Sequence, residues 1–184
     1  MLRIIVFVAV GAIALVVVSR VAGSLVAAWF DRPRIEAPLV LGAGTPAIAV
    51  VYHPGGSGFP RRVAMELVER LVARGCSVTL LTAGSRPSCD LREYDAVVLG
   101  SPVYLGKTRP VIAQFVTAHA PLSVPTYALL TGWVDASGKQ DLAAFAAIVA
   151  GAGGRLRGGI KLATGASGPS LSKDIAAFAD TVKP

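Results

Sequence analysis

Eight residues, His53-Pro54-Gly55-Gly56-Ser57-Gly58-Phe59-Pro60, separate a short apolar run (residues 47–52, AIAVVY) from a stretch of helical periodicity (residues 61–74). A glycine-bearing turn that opens a helix is suited to an anion. Its N–H groups point outward, and the helix dipole adds partial positive charge. Glycine also lets a ligand approach the backbone closely. Within this turn Gly55, Gly56, Gly58 and the amide of Phe59 offer backbone, Ser57 offers a hydroxyl, and Arg61 or His53 can add charge. Two later segments carry aromatics that suit a flat ring. One is residues 101–107, with Ser101, Pro102, Tyr104 and Gly106; the other is residues 131–138, with Gly132 and Trp133. Stacking on a ring is worth ~0.5–1.5 kcal/mol beyond the area it buries. The plainer alternatives are a glycine-rich turn without a ligand and surface aromatics that cover the end of a sheet.

Other chemistry finds little material. Two histidines, His53 and His119, are too few for a histidine-built metal site, and no metal is expected. Cys76 and Cys89 lack a Cys-x-x-Cys neighbour and read as isolated thiols. Residues 55–62 lack the Lys-Ser/Thr ending of a P-loop. The Gly/Arg-rich residues 151–159 follow a helical pattern, so they read as a helix stop and the start of a strand. No side chain stands out as an acid or base. Eighteen Lys and Arg against 11 Asp and Glu give +7, but these residues are scattered and form no nucleic-acid reader motif. No nucleic-acid partner is expected; attraction to anionic lipid headgroups accounts for the charge better.

The elements that must position these loops follow from periodicity. With 53% hydrophobic and 16% charged residues the chain is not disordered. A mean hydropathy of +0.61 points to a membrane segment. Residues 4–19 are uncharged and apolar, Arg20 interrupts, and residues 21–30 continue apolar to Trp29 and Phe30. This reads as a single-pass anchor, with Arg20 snorkelling and a basic stop at Arg32 and Arg34. A cleaved signal peptide is the competing reading. We therefore divide the chain into an anchor (1–30), a linker (31–46) and a domain (47–184).

Within the domain, buried apolar runs alternate with amphipathic stretches. Strands are expected at 47–52, 77–81, 95–100, 126–130 and 157–164, and helices at 61–74, 108–119, 139–150 and 172–182. That alternation implies an α/β fold with a parallel sheet and helices on both faces. Five strands in about 140 residues fit the order 2-1-3-4-5, whose ligand crevice lies between strands 1 and 3 at their carboxyl ends. The three loops singled out above meet there.

Residues 94–107 (YDAVVLGSPVYLGK) carry strand, small-residue turn and aromatic together, and they resemble the third strand and loop of the flavodoxin family. Residues 48–74 resemble that family's first strand–loop–helix unit. The resemblance spans residues 47–182. It implies a flavodoxin-like fold and FMN as cofactor, with phosphate on the first loop and the ring between the second and third. On that basis Tyr104 is the stacking aromatic, Trp133 the second wall, and Pro102 and Gly106 shape the turn. The chain departs from the family's first loop: Phe59 and Pro60 stand where an amide and a second hydroxyl are usual, and Pro60 removes an N–H. The reading that follows is a membrane-anchored FMN protein in electron transfer or flavin-dependent oxidoreduction. It would exchange electrons with a membrane quinone or a membrane-bound partner, with the domain on the cytoplasmic side. The nearest enzyme analogue is the flavodoxin-like protoporphyrinogen oxidase. The alternative is a flavodoxin-fold module that has lost FMN and acts as a membrane-tethered interaction protein; a flavin- or NAD(P)H-using quinone reductase is the third.

Overall fold

The computed structural model describes residues 18, 21, 32, 36–84, 89–104, 106–133 and 138–184. The chain divides into two compact units, Met1–Arg32 and Pro33–Pro184. The expected anchor falls outside the described residues; among those described, no helix is long and apolar enough to cross a membrane.

The second unit is one sheet with helices on both faces. Its elements are β1 (Leu39–Leu41), β2 (Ala47–Tyr52), α1 (Phe59–Ala73), β3 (Ser77–Thr82), a 3-10 turn (Leu91–Glu93) and β4 (Ala96–Tyr104). They continue with β5 (Lys107–Thr108), α2 (Pro110–Ala118), β6 (Thr126–Gly132), α3 (Gly138–Gly151), β7 (Leu156–Ala163) and α4 (Gly168–Thr181). The strand order is β1-β3-β2-β4-β6-β7, with β5 folded back on β4. The pairs among β3, β2, β4, β6 and β7 are all parallel. The expected 2-1-3-4-5 order is therefore present.

Two differences come from short antiparallel additions. Residues 39–41, inside the stretch read as a linker, pair antiparallel with Leu80, Thr79 and Val78 of β3. Leu39-Val40-Leu41 is a minimal β-prone run, and docking it covers the open edge of β3. The second loop is also shorter than expected. β4 continues through Ser101 and Pro102 to Tyr104, and Val103 and Tyr104 pair with Thr108 and Lys107. Lys107 and Thr108 are thus strand, and α2 begins only at Pro110, where proline suits a first turn.

Alternation along each strand divides the core. Ile48, Val50 and Tyr52 pack with Val63, Leu67 and Leu71 of α1 and Ile175 and Phe178 of α4. Ala49 and Val51 turn to the other face, against Ile112 and Phe115 of α2 and Phe145 and Val149 of α3. Because β2 is covered on both sides, four successive apolar residues, Ile48 to Val51, are fully buried. Each such side chain contributes roughly 1.5–3 kcal/mol. Where Tyr52 of β2 pairs with Gly100 of β4, a Cβ on Gly100 would stand 2.8 Å from the Cβ of Tyr52, so the close approach requires glycine.

Candidate functional site

β2 lies between β3 and β4, so the chain crosses first to one side of it and then to the other. Ligands of open α/β sheets bind at such a reversal, outside the carboxyl ends of the strands. The turn after β2 stands on one wall. Gly55 (φ 62°) and Gly58 (φ 70°) take left-handed backbone there, and Gly58 caps α1 without a side-chain hydrogen bond. The Gly55 N–H donates to His53 Nδ1 at 3.0 Å, and the Phe59 N–H reaches Ser57 Oγ at 3.4 Å. Among the described residues, the amides of Gly56, Ser57 and Gly58 donate to no protein acceptor. They stand at the start of a 15-residue helix whose first turn holds no acid. An open cleft of about 640 Å³ begins at Gly58 and runs along α1 past Arg61 and Arg62 to Glu66, Glu69 and Arg70. That donor set fits a phosphate dianion: backbone N–H groups, one hydroxyl and two nearby guanidinium groups.

His53 takes a different role from the one expected. Its ring is buried, and Nδ1 is an acceptor, so the ring is neutral in this arrangement and shapes the turn without adding charge. Phe59 and Pro60 are buried in the first turn of α1, with the Arg62 guanidinium 5.1 Å from the centre of the Phe59 ring. Phe59 therefore contributes packing through its side chain and only its amide to the turn.

The second segment closes on the first. A Cβ at Gly55 would meet the Tyr104 hydroxyl at 3.2 Å, Pro60 at 3.3 Å and Pro102 at 3.4 Å. The structure thus brings Gly55, Pro102 and Tyr104 together across the crevice. The Arg109 guanidinium lies 5.3 Å from the centre of the Tyr104 ring. Gly106, with φ 71°, makes the β4–β5 turn. Ser101 points elsewhere: its buried hydroxyl donates to the Pro102 carbonyl at 3.0 Å and accepts the Arg109 N–H at 3.4 Å.

The third segment splits between two roles. Trp133 is 81% exposed at the end of β6. Gly132 is a strand residue, and a Cβ there would meet Lys161 Cε at 3.0 Å. Its missing side chain leaves room for Lys161, which reaches Asp141 at 2.6 Å with both side chains almost fully buried. Lys161 and Asp141 were not singled out by sequence, and neither was Thr131. The Thr131 hydroxyl is buried without a hydrogen-bond partner among the described residues, on the strand position paired with Pro102.

Behind the first turn, Tyr52 faces Glu36. Burial pushes the Tyr52 phenol up to about 12, and the Glu36 carboxylate that accepts its hydrogen bond at 3.1 Å adds to the shift. Both thiols lie off the site. Cys76 is buried under α1, and Cys89 is pushed up by burial and then by Glu93 and Asp90, which disfavours the reactive thiolate.

Comparison with known proteins agrees with this fold. A family model described as a flavodoxin domain matches residues 50–147. No curated protein matches the chain in sequence. Among solved structures, rubredoxin oxygen:oxidoreductase from Desulfovibrio gigas aligns with a TM-score of 0.57 at 17% identity. It covers 75% of this chain and 35% of its own, so the chain spans about a third of that protein. A Streptococcus pneumoniae flavodoxin aligns with a TM-score of 0.59 at 14% identity, covering 73% of this chain and 96% of its own. Flavodoxin 2 from Bacillus cereus gives 0.59 at 18% identity, again 73% and 96%. At these identities the structural likeness establishes the fold, and the family match goes further. The chain belongs to the flavodoxin family, whose cofactor is FMN.

Proposed function

We propose that this chain is a membrane-tethered flavodoxin that holds FMN at the β2–β4 crevice and passes electrons between a soluble donor and a quinone or protein in the membrane. The observation that carries the reading is the set of three amides, Gly56 to Gly58, at the start of α1, which among the described residues donate to no protein acceptor. They would bind the phosphate, with the Ser57 hydroxyl donating beside them and Arg61 and Arg62 lowering its cost of desolvation. Tyr104, backed by Arg109, would orient the ring, and Trp133 would shield its other side from water. When bound, FMN supplies the electron chemistry itself. A redox role of this kind fits the family match.

Tethering rests on the apolar residues 4–19 and 21–30, with Arg32 and Arg34 on the domain side favouring a cytoplasmic domain. A reporter fused to the C-terminus should signal from the cytoplasm. A periplasmic signal, or a mature N-terminus near Ser24, would overturn that topology.

One feature favours the alternative, a fold that has lost its cofactor: the Tyr104 hydroxyl and Pro102 already pack on Gly55. Calorimetric titration of FMN into residues 33–184, which contain the whole sheet, separates the two. Saturable binding with the absorbance of a bound flavin is expected. No heat at millimolar FMN would reject the proposal and leave the interaction module.

A further inference from the structure

Glu36 comes to the glycine turn from outside the three loops that sequence singled out. It lies in the extended stretch before β1 and is held at the carboxyl end of the sheet. Its N–H donates to Thr82 Oγ1 at 3.1 Å, and its carboxylate accepts the Tyr52 hydroxyl at 3.1 Å. Thr82 and Tyr52 are the last residues of β3 and β2, and both are buried. Two polar groups that close neighbouring strands thus end on one residue and set its carboxylate behind the turn that follows β2. Arg61, in the first turn of α1, faces that carboxylate with its Nε at 3.6 Å.

The arginines along the cleft are engaged in different ways. Arg70, at the far end, donates to Ser172 Oγ and lies 3.7 Å from Glu66. Arg62 donates to the Ala166 carbonyl at 3.3 Å and stands over the Phe59 ring. A carbonyl and a ring carry no net charge, so Arg62 keeps its own. Arg61 is set against a full negative charge. Glu36 therefore offers Arg61 what a phosphate on Gly56 to Gly58 would offer it, an anionic oxygen that accepts from a guanidinium. The contact is long, and its side chains are 59% and 44% exposed, so exchanging one acceptor for the other costs little.

We propose that Glu36 is an internal counter-ion that competes with the cofactor's phosphate for Arg61 and so limits how tightly the phosphorylated flavin is held. The proposal rests on the reading of this crevice as the FMN site. Without a phosphate on the turn, Arg61 stays with Glu36. With one, the guanidinium turns to the dianion, while Glu36 keeps Tyr52 and Thr82. A flavin without a phosphate has nothing to compete with, so Glu36 acts on FMN and not on riboflavin.

Titration of the full chain with FMN, and separately with riboflavin, tests this. Glu36→Gln keeps an oxygen that can accept the Tyr52 hydroxyl and removes the charge. It should tighten FMN by about fivefold, the upper end of what an exposed pair supplies, and leave riboflavin unchanged. Glu36→Ala should shift FMN in the same direction. In an Arg61→Gln background FMN should bind more weakly, and the gain from Glu36→Gln should vanish. A gain that persists without Arg61, or that extends equally to riboflavin, would overturn the proposal. FMN binding that is unchanged or weakened by both changes at Glu36 would overturn it alone and leave the cofactor reading standing. No FMN binding at millimolar concentration by the unmodified chain or by either Glu36 variant would reject the cofactor reading and the proposal with it.

Discussion

Arg61 and Glu36 meet at 3.6 Å with 59% and 44% of their side chains exposed; Lys161 and Asp141 meet at 2.6 Å with 4% and 5% exposed. The first pair borders the glycine turn after β2, and the second lies under the end of β6, beside Gly132. An exposed pair at that distance is worth about 0–1 kcal/mol and is screened by salt. A buried pair has already lost its hydration, so neither charge tolerates the loss of the other. The flank proposed to meet a ligand is thus built from backbone and water-exposed charge, which can be redirected. The other flank is built from an ion pair sealed in the core, which holds the start of α3 against β7.

Breaking the sealed pair should produce the largest effect. Asp141→Asn leaves the Lys161 ammonium buried without its carboxylate, and a loss of ~3–5 kcal/mol is expected in urea unfolding. The double change Asp141→Leu with Lys161→Met should recover much of that loss, because it removes the desolvated charge with its partner. If Asp141→Asn costs no more than Glu36→Gln, burial does not separate the two flanks.

The contrast also explains what could be read in advance. The parallel strands were legible because β2, β4 and β6 are covered on both faces, and their residues form unbroken apolar runs. The glycine turn was legible because its residue types are unusual between a strand and a helix. The Lys161–Asp141 pair was not. Lys161 sits in a strand loosened by Gly158 and Gly159, and Asp141 sits in the first turn of a helix, where an acid is expected for the dipole alone. Nothing in one dimension announces that Gly132 opens a space for the lysine stem. His53 was misjudged for a related reason: that its ring accepts the Gly55 N–H depends on turn geometry. β1 was missed because three residues are too few to show a period, and the reach of β4 to Tyr104 because Pro102 reads as a strand end.

On the open flank the next effect should appear in binding and leave folding nearly unchanged. Ser57→Ala removes one donor to a charged acceptor. FMN affinity should weaken by ~1.5–3 kcal/mol, roughly ten- to a hundredfold, with little change in the unfolding midpoint. Tyr104→Ala should weaken binding too, and it should also alter the visible spectrum of bound flavin, which Ser57→Ala should leave nearly unchanged at saturation. Tight binding indifferent to both changes would move the site away from this crevice.

A smaller effect lies behind the turn and is read in alkali. The folded state holds the Tyr52 proton to about pH 12, against 10.0 for the free phenol. Below pH 10 both states are protonated, and Tyr52 contributes its full share. Between 10 and 12 the unfolded chain releases the proton first, so stability falls through that window. Tyr52→Phe should remove this component of the alkaline loss in equilibrium unfolding at pH 9 and pH 11. Glu36→Gln should narrow the window without abolishing it, because burial is the larger cause.

The smallest effect belongs to a third pair, Asp90 and Arg92, at the amino end. It is as short as the sealed pair, 2.6 Å, but it is exposed. The side-chain hydrogen bonds from Arg92, then its backbone N–H, hold the Asp90 carboxyl down to about 2. A lowered carboxyl contributes above its unfolded value of 3.8 and loses that contribution as pH falls toward 2. Water screens both groups, so Asp90→Asn should leave the unfolding midpoint at pH 7 within error, and the amide can still accept the Arg92 N–H. Carbon-detected titration of the carboxyl should nonetheless find it ionised at pH 3. With distance held constant between the two short pairs, any difference in the cost of neutralising Asp141 and Asp90 reports burial. Equal costs would mean that the Lys161–Asp141 pair is hydrated in solution and that the second flank is as open as the first.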